Sequence, residues 1–207
     1  MNILKTIRVD DKIVNIYNDE DPINPRDNSW NENLDLMICF SKRYQLGDKH
    51  SYNADYFNSM DELEVQIVKD HNPIVIKRLY LYDHSGITIS TTPFNDQWDS
   101  GCVGFVLMSR EQALKGWSLS KFTNNRYLKD RVEKYIEATV LEYDQYLRGD
   151  VYGYKVLDQD DNELDSCWGF YGWDYAVEQA TEAGKNCKVV EPEDPRQMKL
   201  ALDNVEG

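Results

Sequence analysis

Runs of apolar, β-branched residues that follow one another without an intervening helix limit most strongly how this chain can fold. A short polar turn separates the members of each pair of runs, which is the pattern of an antiparallel hairpin. A doubly wound parallel sheet needs a helix between successive strands, so these pairs exclude that architecture. The pairs are Ile3–Val9 with Lys12–Tyr17, Ile74–Tyr82 with Ile87–Thr91, and Val151–Leu157 with Glu163–Phe170.

A helical period is present in two longer stretches. From about Asn124 to Leu147, apolar residues recur at steps of three, four and seven, and Gly149 follows as the expected terminator. Ser59 precedes a second stretch, whose first turn is acidic and which stops before Pro73. Short helices are also predicted at Arg110–Lys115 and Trp173–Ala183, and further strands at Leu34–Phe40, Cys102–Met108 and Lys188–Val190.

The predicted order of elements is β-β-β-α-β-β-β-α-α-β-β-α-β. This order indicates an α+β fold with a mainly antiparallel sheet, one long amphipathic helix and two or three shorter helices. We expect a single globular domain over residues 1–207, with a loosely held tail at residues 191–207. The core residues predicted from strand and helix periodicity are Ile74, Ile76, Leu79, Leu81, Val103, Phe105, Val132, Ile136 and Val140.

The charge balance disfavours several classes of partner. The chain has 37 acidic and 23 basic residues, a net charge of −14, which disfavours direct binding to nucleic acid or to an anionic membrane. Its apolar runs are all shorter than the roughly 18 residues of a membrane span, and the first residues lack the apolar stretch of a signal peptide. The four cysteines form no C-x-x-C pair, which disfavours a zinc ribbon. We therefore expect a cytoplasmic protein without a cofactor or bound metal.

The acidic residues concentrate near the C-terminal end of the chain. Residues 150–207 hold 14 acidic groups against 5 basic ones, whereas residues 110–134 are mostly basic. Opposite charges of this kind could meet within the fold or in a homo-oligomer. The aromatic residues in the acidic third could stack on bases, but their acidic surroundings favour a protein interface. The predicted binding residues are Asp158, Asp160, Asp161, Glu163, Asp165, Trp168 and Trp173.

Two segments of the chain echo each other in sequence. WDSGCVGF at residues 98–105 and LDSCWGFY at residues 164–171 share Asp-Ser, a cysteine and Gly-Phe, and a looser version includes Trp30 and residues 34–40. Asp and Ser at a strand entrance can accept bonds from nearby backbone amides. The echo therefore indicates either similar strand entrances or, if these entrances gather with Asp83 and His84 at one end of a sheet, a shared site.

The rarest side chain of the sequence lies in the sharpest candidate for chemistry. His84 is one of only three histidines, and Asp83 and Ser85 flank it before Gly86. A histidine oriented by a carboxylate can act as a general acid or base. Asp, Ser and Gly are also the standard residues of a turn. Residues 83–86 can therefore equally indicate a hairpin turn in which His84 fills a gap.

Two cysteines and a second aspartate complete the candidate catalytic set. Cys102 or Cys167 could serve as a nucleophile if an imidazole activated it, and Asp99 could assist. A metal ion could bind through Asp83, His84, Asp99 and Asp165, and the oxygen-rich ligands of such a set would favour magnesium or manganese over zinc. Residues 158–163 lack the central glycine and terminal glutamate of an EF-hand, and we expect no metal there.

Six motifs of the chain are similar to segments of known proteins. They are NDEDPINPRDNSW, MICFSKRYQLGDKH, LYLYDHSGITISTTPF, WDSGCVGF, YDQYLRGDVYGY and LDSCWGFYG. These motifs resemble a family of small proteins carried by bacteriophages and other mobile elements of Gram-positive bacteria. The resemblance covers residues 18–172 and implies a phage accessory protein that acts in the cytoplasm of the host cell, without implying any catalytic residue. The separation of Trp30 from Leu34 departs from the pattern of that family.

Three functions are compatible with these features. The first is an acidic anti-defence inhibitor that binds a host nucleic-acid-binding defence protein, such as a restriction or CRISPR nuclease, as a partial nucleic-acid mimic. The second is a small hydrolase or nuclease-like enzyme with an Asp/His/Cys site. The third is a homo-oligomeric structural or regulatory phage protein.

Overall fold

The structure, a computed structural model, describes residues 1–27, 33–96 and 98–187. The order of elements agrees with the predicted order up to the last helix. The strand predicted at Lys188–Val190, the tail at 191–207 and Trp30 lie outside the described residues. The elements are β1 (Ile3–Val9), β2 (Lys12–Asn18), β3 (Leu36–Cys39), α1 (Met60–His71), β4 (Pro73–Asp83), β5 (Ile87–Ser90), β6 (Ser100–Ser109), α2 (Arg110–Gly116), α3 (Asn125–Arg148), β7 (Val151–Leu157), β8 (Glu163–Tyr171) and α4 (Trp173–Asn186), with a 3-10 turn at Ala54–Tyr56.

The strands form two four-stranded sheets. One has the order β1-β2-β7-β8 and the other the order β3-β6-β4-β5. The pairings β1 with β2, β2 with β7, β3 with β6, and β4 with both β5 and β6 are antiparallel. The α+β class with antiparallel strands is therefore confirmed, although the strands divide between two sheets.

The two sheets belong to different compact units of the chain. The first unit comprises residues 1–18 and 152–168 and, among the described residues, 174–187, whereas the second comprises residues 19–151 and 169–173. The backbone passes from one unit to the other four times. The single domain expected from length stays a prediction.

In the first unit, α4 packs on the sheet through small residues. Its buried positions Ala176, Ala180 and Gly184 are four residues apart, so they lie on one face. A Cβ atom added at Gly184 would lie 2.8 Å from Cγ2 of Val14, which is fully buried in β2. The small side chains therefore allow the helix to approach the sheet closely.

In the second unit, helices cover both faces of the sheet. The α3 side holds the larger apolar cluster and the α1 side a smaller one. From β4 and β6, Leu79 and Val106 contribute to the α3 cluster, and Phe105 contributes to the α1 cluster. The helix residues of these clusters are Leu128, Val132, Ile136, Val140 and Tyr143 from α3, and Leu63 and Ile67 from α1.

The predicted core is confirmed at most positions. Ile74, Ile76 and Leu81 are only half-buried, because they pack against the edge of an apolar cluster and keep some contact with solvent. The buried members of the predicted set are Leu79, Val103, Phe105, Val132, Ile136 and Val140.

The ends of the helices follow the signals in the sequence. Ser59 Oγ accepts a hydrogen bond from Glu62 N at 3.2 Å, which satisfies one of the free amides in the first turn of α1. Asn124 caps α3 in the same way, and Gly149 ends it with a φ of 69°. Within the described part of the chain, the helices are all too short or too polar to cross a membrane.

Candidate functional site

His84 lies in the tight turn between β4 and β5. The last cross-strand pair is Asp83 with Ile87, and Ser85 and Gly86 both have positive φ values of 57° and 145°. The backbone N–H of His84 donates to Gly86 O at 3.1 Å. The predicted turn is therefore confirmed, but the His84 side chain is 64% exposed and does not fill a gap.

A carboxylate from the loop before β6 holds the imidazole. The His84 Nδ1 and Asp99 Oδ2 atoms are 3.0 Å apart, and Asp83 N donates to Asp99 O at 2.8 Å. The imidazole also stacks on Tyr82, with ring centroids 6.1 Å apart. An imidazole oriented in this way by a carboxylate can take up a proton from a water or a hydroxyl group.

Asp96 fixes the shape of the loop that carries Asp99. Its Oδ1 atom accepts hydrogen bonds from Trp98 N at 2.8 Å and Asp99 N at 3.0 Å. These backbone bonds, led by the one from Asp99, lower the pKa of Asp96. The turn therefore keeps an ionised carboxylate inside it and presents the Trp98 side chain to solvent, with 95% of the residue exposed.

An open groove of about 430 Å³ lies beside this loop. It is lined by residues 40–43, by Leu81 and Asp83 of β4, and by residues 98–103. Arg43 Nη1 donates to Asp83 Oδ2 at 2.8 Å, and the Tyr44 hydroxyl donates to Asp83 Oδ1 at 3.1 Å. The carboxylate of Asp83 is thus engaged by its neighbours, so Asp83 helps to shape the groove.

The thiol in the groove is not activated. Burial raises the pKa of Cys102, and its Sγ atom lies 3.8 Å from Gly104 O. A thiol of this kind stays protonated at neutral pH and is a poor nucleophile. Cys167 is exposed on β8 in the first unit and is not among the groove residues.

Of the two interpretations of the echoed segments, the one in which they gather at one end of one sheet is wrong. Asp99 and Ser100 lie at the start of β6 in the second sheet, whereas Asp165 and Ser166 lie inside β8 in the first. The aspartates of the two segments also make different contacts. Asp99 contacts His84, whereas Asp165 accepts a hydrogen bond from the Tyr154 hydroxyl at 3.4 Å. Short motifs shared by two strand regions do not determine which sheet each strand joins.

In the acidic turn between β7 and β8, two of the carboxylates bond to neighbouring groups of the chain. Asp158 Oδ1 accepts from the backbone amides of Asp160 and Asn162, both at 2.9 Å, and Asn162 Nδ2 donates to Asp158 Oδ2. The bonds from Asn162 lower the pKa of Asp158. Glu163 pairs with Lys155 Nζ at 2.6 Å and accepts from Ser166 Oγ at 2.8 Å.

Two carboxylates of this turn remain open. Asp160 and Asp161 are exposed, and neither side chain forms an ion pair or hydrogen bond within the described residues. Of the aromatic residues predicted to bind, Trp168 is half-buried and lies over Gly153, where an added Cβ would be 2.0 Å from the indole. Trp173 is also half-buried, at the start of α4.

The outer face of α4 carries a row of carboxylates that we did not identify from the sequence. Asp174, Glu178 and Glu182 are exposed and alternate with the buried small residues of the helix. A step of four residues places them about 6 Å apart along the axis. None of the three forms an ion pair within the residues that the structure describes. The four-residue spacing was visible in the sequence and is the signal that could have indicated this row.

A buried ion cluster in the second unit also escaped prediction. The Arg26 side chain is 1% exposed, its Nη1 atom lies 3.1 Å from both carboxylate oxygens of Asp35, and its Nε lies 3.1 Å from Asp48 Oδ1. Burial alone would lower the pKa of Arg26, but attraction by Asp35 and hydrogen bonds with Asp48 outweigh it and raise this pKa. Arg26 thus stays charged and ties its loop to β3, where Asp48 Oδ2 accepts from Met37 N at 2.7 Å.

Among the described residues, no group of three His, Cys, Asp or Glu side chains is placed to hold a metal ion. Comparisons with models of protein families, with curated proteins and with solved structures find no match for this chain.

Proposed function

We propose that the protein is an acidic binding protein that occupies the cationic, nucleic-acid-binding cleft of another protein as a partial nucleic-acid mimic. The resemblance to proteins of phages and mobile elements supports a host defence protein, such as a restriction or CRISPR nuclease, as the partner. The observation that carries the proposal is the row of exposed carboxylates on α4, formed by Asp174, Glu178 and Glu182.

The row supports mimicry because of its regularity. A helix holds its side chains at fixed intervals, so the three carboxylates present negative charge at axial steps of about 6 Å along one side of α4, each turned by about 40° from the one before. A cleft that binds nucleic acid neutralises a regular line of phosphates with Lys and Arg. Such a cleft would meet on α4 the sign and the linear arrangement of charge that it binds on its substrate.

The carboxylates of the row are available to a partner protein, because they form no ion pair within the described residues. Within the described residues no basic side chain neutralises the row, and the same unit also carries the open carboxylates of Asp160 and Asp161. Exposed charges of one sign steer a partner of opposite sign and raise the association rate, and added salt weakens the effect.

The test replaces the three carboxylates of the row with uncharged amides of the same shape. Asp174→Asn, Glu178→Gln and Glu182→Gln together should slow association with purified restriction and CRISPR nucleases and relieve inhibition of DNA cleavage. The loss should shrink at high salt, because the interaction is electrostatic. A matched control on exposed acids of the second unit, Asp55→Asn with Glu111→Gln and Asp130→Asn, removes equal charge and should have little effect.

The same experiment can contradict the proposal. If the α4 variant inhibits and binds as well as the wild type, then the row is not the mimic. If the control variant loses as much binding as the α4 variant, net charge alone explains the interaction. A second variant, Asp160→Asn with Asp161→Asn, tests the hairpin tip while leaving intact the turn that Asp158 organises.

A hydrolase remains the second candidate, and the 3.0 Å contact of His84 with Asp99 favours it. Because the Cys102 thiol stays protonated, a water activated by His84 would be the nucleophile. Assays on panels of carboxylic and phosphate esters should then show turnover that His84→Ala abolishes and the α4 variant retains. Turnover that is equal in His84→Ala and in the wild type would reject this candidate.

A further inference from the structure

We propose that the groove beside Trp98 binds a nucleoside phosphate, with the base stacked on the indole and the phosphate held by Lys42 and Arg43. The inference goes beyond the proposed function, because this groove belongs to the second unit and its aromatic and cationic groups have no part in the acidic row of α4.

The first support is the exposure of the Trp98 indole to solvent. Trp98 is 95% exposed, while its loop is fixed by Asp96, whose side chain accepts from two backbone amides and whose carbonyl accepts from Ser100 Oγ. Exposing a large apolar ring to water is unfavourable unless something covers it. A ring whose own backbone amide is already hydrogen-bonded loses less entropy on binding, and aromatic faces are the usual platforms for bases.

The second support is positive charge on the neighbouring wall. Lys42 is exposed and forms no ion pair within the described residues, and Arg43 is tied to Asp83 by one nitrogen while its side chain remains 75% exposed. A guanidinium has five N–H donors, so Arg43 keeps donors for a ligand oxygen. Together the two side chains can hold one phosphate group.

The third support is the shape and polarity of the floor. The volume of about 430 Å³ lies within the usual range of small-molecule sites, roughly 300–1,000 Å³. Nothing lies within 4 Å of a Cβ added at Gly101, so the floor is open there. The carboxylate of Asp99 can accept a bond from a sugar hydroxyl, and the negative charge of Asp83 and Asp99 should favour one phosphate over three.

Calorimetry and tryptophan fluorescence with AMP, adenosine and inorganic phosphate test the site. We expect one AMP per chain, with adenosine and phosphate each at least about tenfold weaker, because each makes only half of the contacts. Trp98→Ala should weaken AMP binding about 10- to 100-fold, the loss expected for one stacked base. Lys42→Gln should weaken it several-fold and reduce its salt dependence.

Matched controls separate this site from general surface effects. Phe122→Ala removes another ring, which is 85% exposed, and Lys69→Gln removes another exposed lysine, so both should bind AMP like the wild type. A 5′-phosphorylated dinucleotide distinguishes the source of the ligand. If the dinucleotide binds as tightly as AMP, the ligand of the groove is the end of a nucleic-acid strand. If it binds more weakly, the ligand is a free nucleotide.

Two results would overturn the proposal. They are no AMP binding by the wild type at millimolar concentration, and equal AMP binding by Trp98→Ala and the wild type. If the wild type binds no AMP and Trp98→Ala also loses nuclease inhibition, Trp98 is an anchor for a protein partner. The α4 variant should bind AMP normally, so failure of one proposal leaves the other intact.

Discussion

Arg26 is buried between two carboxylates, and the balance of charge around it is unusual for a protein interior. One guanidinium pairs with both Asp35 and Asp48, while the backbone amide of Met37 donates to Asp48 Oδ2 and Thr139 Oγ1 lies 3.3 Å from Asp35 Oδ2. Buried ion groups of this kind add little stability as a set, but removal of one partner leaves the others without compensation.

Arg26→Leu should therefore lower the free energy of unfolding by about 3–5 kcal/mol, measured by urea denaturation at neutral pH. Burial raises the pKa of Asp35 above its unfolded value, and Arg26 opposes this rise. Without Arg26 the ionised Asp35 penalises the folded state above its unfolded pKa, and the penalty disappears as falling pH protonates the carboxyl group. The deficit of the variant relative to the wild type should therefore shrink on acidification.

Arg43→Leu is the matched control, because Arg43 pairs with Asp83 at an exposed position. Its effect on the free energy of unfolding should lie within about 0–1 kcal/mol. Equal losses for the two variants, or a deficit of Arg26→Leu that grows as the pH falls, would contradict the description of Arg26 as a buried counter-ion.

Among the elements, β6 is the strand on which the second sheet depends. It pairs with β3 on one side and with β4 on the other, and Gly104 lies opposite Cys39 and Leu79. A Cβ added at Gly104 would be 2.0 Å from the carbonyl oxygen of Ile38, which is backbone and cannot move aside cheaply. Glycine is thus required by close approach of two strands.

Gly104→Ala should lower the free energy of unfolding by about 1–3 kcal/mol, the usual range for an overpacked interior. Gly101→Ala in the same strand is the control, because nothing lies within 4 Å of its added Cβ, and its effect should stay within about 0.5 kcal/mol. Thermal and urea denaturation of both variants would measure the difference. A tolerated Gly104→Ala would mean that β3 and β6 can separate locally.

Periodicity in the sequence predicted most elements, because it depends on neighbours along the chain. The hairpin at His84 and the helix ended by Gly149 are local features with local signals. The partners of β6 and β7 were not predictable, since a strand's pattern shows which of its faces is buried but not its neighbour. Asp99 was predicted as a candidate and does contact His84, whereas the pairing of Arg26 with Asp35 and Asp48 had no local signal.

For the whole molecule, the net charge of −14 opposes self-association. A homo-oligomer would need the basic start of α3 to contact an acidic surface of a second copy, so its mass would decrease as salt screens the contact. We expect light scattering to give the mass of one chain, 24.2 kDa, at low and at high salt. A larger mass at low salt that falls at high salt would support the oligomeric alternative.

The path of the backbone through the two units has a consequence for synthesis on the ribosome. The hairpin of β1 and β2 is made before residues 19–151, yet β7, which pairs with β2, is made after them. An isolated two-stranded hairpin is only marginally stable in water. One edge of β2 therefore stays unpaired until most of the second unit has been translated, and during that time the hairpin can mispair with another nascent chain.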